Sequence, residues 1–290
     1  MQKRISVELP RPKEELSFTG ERYIPTFASN VEAEHIHRYL FSAALVDNKR
    51  VLDIACGEGY GSFILATRAD YVLGVDISES AVSHAQALYH GDNLEYRTGS
   101  CLKIPLEDKS VDAVVSFETI EHIDEHEEFL LEIQRVLKPG GILCMSTPDK
   151  DFLNEDNEFH VRELRRREFE TLLGNTFPYY NLYGQNGVFA SMLTPVGERT
   201  GSFTLFHKSE KNRYDELVEM PIASYLVAVA SFEPIAIRAP SILMDETFIP
   251  HLSLLFGRYD AKLDEAHKEV KKLQKHVATL EKRLKQSLKN

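Results

Sequence analysis

Two stretches of the chain carry residues whose types and spacing could do chemistry. The first is DIACGEGYG, residues 53–61, with glycines at 57, 59 and 61. Glycine lets a backbone turn sharply and approach a ligand closely. Asp76 follows 19 residues after Gly57, a position where a carboxylate can accept two ribose hydroxyls. The second is FETIEHI, residues 117–123, which sets Glu118, Glu121 and His122 at three- and four-residue spacings, on one face of a helix start. His160, in NEFHVREL, is a second histidine of the same chemistry. One reading makes His122 a general base, held by a carboxylate such as Glu121. Another joins Glu118, Glu121, His122 and His160 in a two-carboxylate, two-histidine site for magnesium or manganese. A third gives Glu118 and Glu121 no role beyond favourable charge at a helix N-terminus.

The glycine loop narrows the choice of cofactor. A dinucleotide fingerprint wants its third glycine five residues after the first. Ser62 holds that place and Gly61 comes one residue early. Asp53 sits inside the preceding strand, a poor neighbour for pyrophosphate but suited to an ammonium group. None of the 12 tyrosines has a lysine four residues later, which removes the usual Tyr/Lys pair of short-chain dehydrogenases.

The elements that must position these residues follow from periodicity. RVLDIAC (50–56) is a short buried strand before the loop and FILATRA continues as a helix. Strands follow at Tyr71–Asp76, Leu94–Thr98 and 111–117, with a helix from Ser78, its N-cap, to Tyr89. TIEHIDEHEEFLLEIQRVL reads as one long helix, KPGGILCMST as a glycine stop and a fifth strand. A helix is expected over Val161–Leu173, and PYYNLYG and YLVAVAS complete seven strands around an insertion at about 186–220. Near-continuous apolar strands alternating with helices predict an α/β fold: a doubly wound, Rossmann-like, mostly parallel seven-stranded sheet with helices on both faces. Ligands of such sheets bind beyond the strands' C-terminal ends, where the strand order reverses.

VLDIACGEGYGS, VLGVDIS, GSCLKIPLEDKSVDAVVSFETIEHI and RVLKPGGILCMSTPD together resemble the class I S-adenosylmethionine-dependent methyltransferases over residues 50–150. The resemblance implies that S-adenosyl-L-methionine is the cofactor. The first motif, with Asp53, Gly57 and Gly59, would hold its methionine part. Asp76 and Ile77 would hold the ribose end, and Ser100 and the Cys101 amide would bracket the adenine. Phe117 would lie near the transferred methyl. Ser100 stands where the family often has an aspartate. The arm TGERYIP and the helix EAEHIHRYLF resemble methyltransferases of bacterial surface-polysaccharide pathways. That likeness implies a sugar or glycan acceptor and brings Tyr23 and Arg38 to the cofactor. The acidic and histidine set is also similar to that of metal-dependent small-RNA 2′-O-methyltransferases. Sugar O-methylation is the leading expectation, with N-methylation of an amino sugar and a non-catalytic, cofactor-binding scaffold as alternatives.

Composition bounds these readings. Hydrophobic residues are 43% and charged residues 27% of the 290, ordinary for a globular protein. The net charge is −11. Beyond residue 260, nine Lys/Arg face four Asp/Glu, which leaves −16 on the rest; so acidic a body repels phosphate backbones and argues against general nucleic-acid binding. The basic run RELRRREF (162–169) reads as a solvated helix face or as an anchor for an anionic acceptor. Leu263, Ala266, Val270, Leu273, Val277, Leu280 and Leu284 alternate in steps of three and four. Val and Leu at the two core positions favour a parallel coiled-coil dimer, or a coiled-coil partner. The expected organisation is an arm and helix at 1–49, a methyltransferase domain at 50–257 and a coiled-coil helix at 261–290. No apolar run approaches the roughly 20 residues of a membrane span, and no signal-like segment opens the chain. The three cysteines (Cys56, Cys101, Cys144) lack a CxxC spacing. The expected compartment is the cytoplasm, including the inner face of the membrane.

Overall fold

The computed structural model describes residues 5–10, 30–152, 157, 159–187, 205–210, 213–217, 223–243 and 272. Tyr23, most of the insertion and the heptad segment apart from Lys272 lie outside them. The chain divides into two units, Met1–Ile242 and Leu243–Asn290, and the fold below belongs to the first.

Seven strands form one sheet: β1 (Arg50–Ile54), β2 (Tyr71–Asp76), β3 (Leu94–Thr98), β4 (Val111–Ser116), β5 (Leu137–Pro148), β6 (Tyr179–Gln185) and β9 (Tyr225–Ser231). Their order is β3-β2-β1-β4-β5-β9-β6, with β7 (Leu205–Glu210) and β8 (Arg213–Leu217) as a separate antiparallel pair. The first five strands are parallel, while β9 runs antiparallel between β5 and β6. A sheet alternates its side chains between faces, and here each face has its own core. Leu52, Leu73, Val114, Leu143 and Ala228 pack with α4 (His126–Val136) and α5 (Arg166–Thr176). Val51, Val72, Val115, Cys144 and Val229 pack with α1 (Asn30–Ala43), α2 (Tyr60–Ala66) and α3 (Glu79–Leu88). Ser78 caps α3 by accepting the Ala81 N–H, as its sequence position predicts.

Two helices depart from expectation. The long helix from Thr119 is broken into a 3-10 turn, Ile120–His122, and α4 from His126. Glu118 lies in the left-handed region at φ 50°, so the chain enters the turn from a conformation no helix continues. Glu118, Glu121 and His122 therefore do not share a helical face. The helix expected from Val161 starts only at Arg166. The Val161 and Arg162 N–H groups donate to the Glu121 carbonyl at 2.9 and 3.1 Å, which ties the segment before the helix to the 3-10 turn. Instead Arg165 N–H donates to the Glu168 carboxylate, 2.8 Å away, to open the helix.

Candidate active site

The loop after β1 ends at the sheet's switch point, between β1 and β4, where the strand order turns outward in both directions. Ala55, Gly57 and Gly59 have φ of 61°, 55° and 90°. Gly59 is fixed twice over. Beyond its φ, a Cβ there would lie 2.6 Å from Ala85 Cβ and 2.8 Å from the Tyr96 ring, and the Tyr96 hydroxyl donates to its carbonyl at 2.8 Å. At Gly61 a Cβ would lie 2.0 Å from the Tyr39 ring. These two glycines thus seat α2 against its neighbours, a role the sequence reading assigned to the ligand alone.

Asp76 ends β2, nearly buried. Its carboxylate accepts the Gly57 N–H at 2.8 Å and the Ser78 N–H at 2.9 Å, one on each oxygen. Through these two bonds it braces the loop from the end of β2. Ile77, beside it, is 76% exposed. Asp53 lies below the loop, fully buried. Ser62 Oγ donates to one oxygen at 2.6 Å and the Tyr39 hydroxyl to the other at 3.3 Å. Burial pushes its carboxyl up to about 7, against the pull of those two bonds. Ser100 and Cys101 follow β3, half-buried. Ser100 Oγ accepts the Leu102 N–H at 3.2 Å, and burial raises the Cys101 thiol.

Arg38 comes to the same mouth from α1 and is 2% exposed. Nη1 donates to Glu118 Oε1 at 3.2 Å. The guanidinium carbon stands 4.6 Å from the Tyr225 ring centroid and 5.9 Å from that of Phe117. Among the described residues Nε and Nη2 have no hydrogen-bond partner. Those two N–H groups form one edge of the planar fork, the edge that receives a carboxylate through two parallel bonds. A buried donor left unmade costs about 1–3 kcal/mol, so this edge is shaped for an anionic ligand. Glu118 also accepts from Ser146 Oγ at 2.9 Å. Phe117 packs edge-on against Tyr39, centroids 4.9 Å apart.

The 3-10 turn holds the remaining groups. Glu121 is fully buried; Thr147 donates to Oε2 at 3.4 Å, and Oε1 has no partner among the described residues. Burial, and next the charge of Glu118, hold its carboxyl well above the usual carboxylate range, favouring the protonated acid. His122 Nδ1 lies 2.9 Å from the Phe159 carbonyl. A carbonyl only accepts, so Nδ1 carries the proton and Nε2 the lone pair. No hydrogen bond joins Glu121 to His122 among the described residues. The orienting partner expected in Glu121 is instead a backbone carbonyl from the 157–163 segment. Ligand atoms of Glu121, His122 and His160 lie within 4.8 Å of one another. Glu118, the fourth residue of the expected metal set, is turned to Arg38 and Ser146. His160 has both ring nitrogens engaged, Nδ1 with Glu163 at 2.6 Å and Nε2 with Asn157 Nδ2 at 3.0 Å. The structure thus assembles three of the four residues, and both nitrogens of His160 already have partners.

A family match falls on this mouth. Residues 52–145 match the family model of a methyltransferase domain. The matched segment contains the glycine loop, Asp76, Ser100, Phe117 and the 3-10 turn, while Arg38, His160 and Tyr225 lie outside it. A protein of Mycolicibacterium smegmatis named a probable S-adenosylmethionine-dependent methyltransferase is 38% identical over 165 residues, covering 54% of this chain and 63% of that one. A protein of the same designation from Mycobacterium tuberculosis is 36% identical over 165 residues, covering 54% and 60%. The chain therefore spans less than two thirds of the length of these curated relatives. The crystal structure of an S-adenosylmethionine-dependent methyltransferase from Thermotoga maritima, 20% identical, superposes with a TM-score of 0.50 over 70% of this chain and 92% of that one, a likeness of fold.

Sequence reasoning missed Tyr225, Ser146, Thr147 and the Phe159 carbonyl. Tyr225 comes first in β9, and an antiparallel strand begins at the mouth where parallel strands end. Its position follows only once the direction of β9 is known.

Proposed function

We propose that the chain transfers a methyl group from S-adenosyl-L-methionine to an oxygen acceptor, a sugar hydroxyl of a glycan. The observation that carries the cofactor is the open, buried edge of Arg38 at the same mouth as Asp76 and the glycine loop. Arg38 Nε–H and Nη2–H take the amino-acid carboxylate. Asp76, at the end of β2, accepts the ribose hydroxyls. Asp53 supports the loop from below, on the side assigned to the ammonium group. Ile77 gives the adenine an apolar surface, and Ser100 and the Cys101 amide face its edge. Tyr23, on the arm, is a further cofactor residue of this reading. When bound, the cofactor supplies a methyl on a sulfonium, transferred in one in-line displacement. The chain contributes positioning and a base. His122 Nε2, with its lone pair, takes the proton of the acceptor hydroxyl, and Glu121 offers a protonated carboxyl beside it.

The polysaccharide setting is supported by the likeness of the arm and first helix, and by the acidic body, which disfavours nucleic-acid acceptors. Among the described residues no helix is long and apolar enough to cross a membrane. The test is turnover of S-adenosyl-L-methionine with a panel of neutral and amino sugars, followed by mass spectrometry of the products. O-methylated neutral sugars support the reading. Products methylated only on nitrogen replace it with the amine alternative, and cofactor binding without any product replaces it with a scaffold. A second reading is favoured by the 4.8 Å cluster of Glu121, His122 and His160: these three would hold a divalent cation that orients the acceptor oxygen. Activity lost to a chelator and restored by magnesium or manganese decides for it.

A further inference from the structure

The 157–163 segment is irregular, yet its described residues are bonded with unusual completeness for a loop. His160 N–H donates to the Asn157 carbonyl at 3.0 Å. Phe159 N–H donates to Asn157 Oδ1 at 3.1 Å, which leaves Asn157 Nδ2 to donate to His160 Nε2 at 3.0 Å. His160 Nδ1–H donates to Glu163 Oε1 at 2.6 Å, and the Glu163 side chain is 13% exposed. Each side chain of this trio spends its polar atoms on holding the others and the turn between them. The turn delivers one group to the site, the Phe159 carbonyl, 2.9 Å from His122 Nδ1. The His160 ring also meets the His122 ring edge-on, centroids 5.0 Å apart at 81°.

We infer that His160 is a positioning residue: clamped between Asn157 and Glu163, it holds the Phe159 carbonyl on His122 Nδ1 and so fixes the tautomer in which Nε2 carries the lone pair. Which nitrogen of an imidazole is protonated is set by the bond the other makes. In water a neutral imidazole prefers its proton on Nε2, the tautomer that cannot accept a proton there. The Val161 and Arg162 N–H groups pin the chain to the Glu121 carbonyl, but they lie beyond Phe159. The His160 N–H, in the same planar peptide unit as the Phe159 carbonyl, is bonded to the Asn157 carbonyl, and the side-chain clamp between Asn157, His160 and Glu163 holds that turn in place. The inference rests on the proposed base role of His122, but its first readout needs neither acceptor nor turnover.

That readout is the ring-nitrogen spectrum of the full chain labelled with 15N-histidine and saturated with S-adenosylhomocysteine, with His122 identified by comparison with His122→Gln. The parent shows His122 protonated on Nδ1. In Glu163→Ala and in Asn157→Ala, which removes both the donor to His160 and the acceptor for Phe159 N–H, the proton shifts to Nε2. Glu163→Gln, which keeps an acceptor oxygen, restores the parent pattern. In the sugar-panel assay, kcat of Glu163→Ala falls about 10- to 100-fold, as for a misplaced reacting group, while cofactor Kd and acceptor KM stay within about twofold. An unchanged His122 tautomer in both clamp variants overturns the inference. So does a stoichiometric metal in the parent that is lost in His160→Gln. A tautomer that responds in a chain without methyl transfer upholds the clamp and refutes the proposed function instead.

Discussion

Arg38→Met separates ligand binding from folding more cleanly than any other change at the mouth. In the free protein the guanidinium spends one nitrogen on Glu118 and leaves Nε and Nη2 buried without partners among the described residues. Removing it abolishes two unmet donors, each costing about 1–3 kcal/mol. It also strips Glu118 of its cation, but that carboxylate keeps the Ser146 hydroxyl and a side chain that is 19% exposed. These effects oppose each other, so the melting temperature of the free variant stays near that of the parent. Binding behaves differently. Two hydrogen bonds between charged groups contribute roughly 1.5–3 kcal/mol each. Taking the lower figure for both gives about 3 kcal/mol, or roughly a 150-fold weaker Kd. Arg38→Lys keeps the charge without the parallel edge and falls between the two. Titration calorimetry with S-adenosyl-L-methionine reads the Kd, and a thermal melt of the free variant controls for folding. A folded Arg38→Met with unchanged affinity refutes the assignment of the open edge to the cofactor.

Four further outcomes follow from the same geometry. Asp76→Ala weakens cofactor binding in calorimetry and, because it frees the Gly57 and Ser78 N–H groups, also lowers stability to urea by about 1–3 kcal/mol; unchanged stability contradicts the bracing role. His122→Ala loses about 10²–10⁴-fold in turnover with cofactor Kd intact, and near-normal turnover removes it as the base. Asp53 has a folded pKa of about 7, raised above the usual value of about 4. The native state therefore holds its proton longer than the unfolded chain, and stability falls as pH rises through that interval. Asp53→Asn gains on the parent in urea melts between pH about 4 and about 7 and no further above, and a constant difference overturns the burial argument. Light scattering compares the full chain with one ending at Tyr259: a dimer that becomes a monomer on truncation supports self-association through 261–290, and two monomers at high micromolar concentration refute it.

How much could be read without coordinates depended on how local the determinant was. The strands around the loop, the Ser78 cap and the place of Asp76 follow from short-range signals: apolar runs, a capping serine, a glycine-rich turn. The 3-10 turn at Ile120–His122 did not follow. Its sequence carries helical periodicity, and what breaks it is non-local: Glu118 drawn to Arg38, 80 residues away, and the Glu121 carbonyl taken by Val161 and Arg162. For the same reason the partner of His122 was misread. A backbone carbonyl has no signature in sequence, whereas Glu121 next door did. Gly61 was legible as special, but its cause, the Tyr39 ring, is a packing contact between helices.

The place of β9 in the sheet also governs the order in which the fold becomes possible. Among the described residues β6 pairs with β9 alone, and β9 also covers the outer edge of β5. During synthesis β6 is complete at Gln185, and its described neighbour β9 ends at Ser231. At about 5–20 residues per second, a ribosome needs roughly 2–9 s to cross that gap. Through that interval the β5 edge is open and β6 is a free strand of matching length, able to dock directly beside it and leave β9 without a slot. Such a misplaced strand withholds Tyr225 from Arg38 even where every residue of the 52–145 segment is already in place. Slowed or interrupted translation between 186 and 224 is thus the window in which this chain is most exposed to a misordered sheet and to edge-to-edge association.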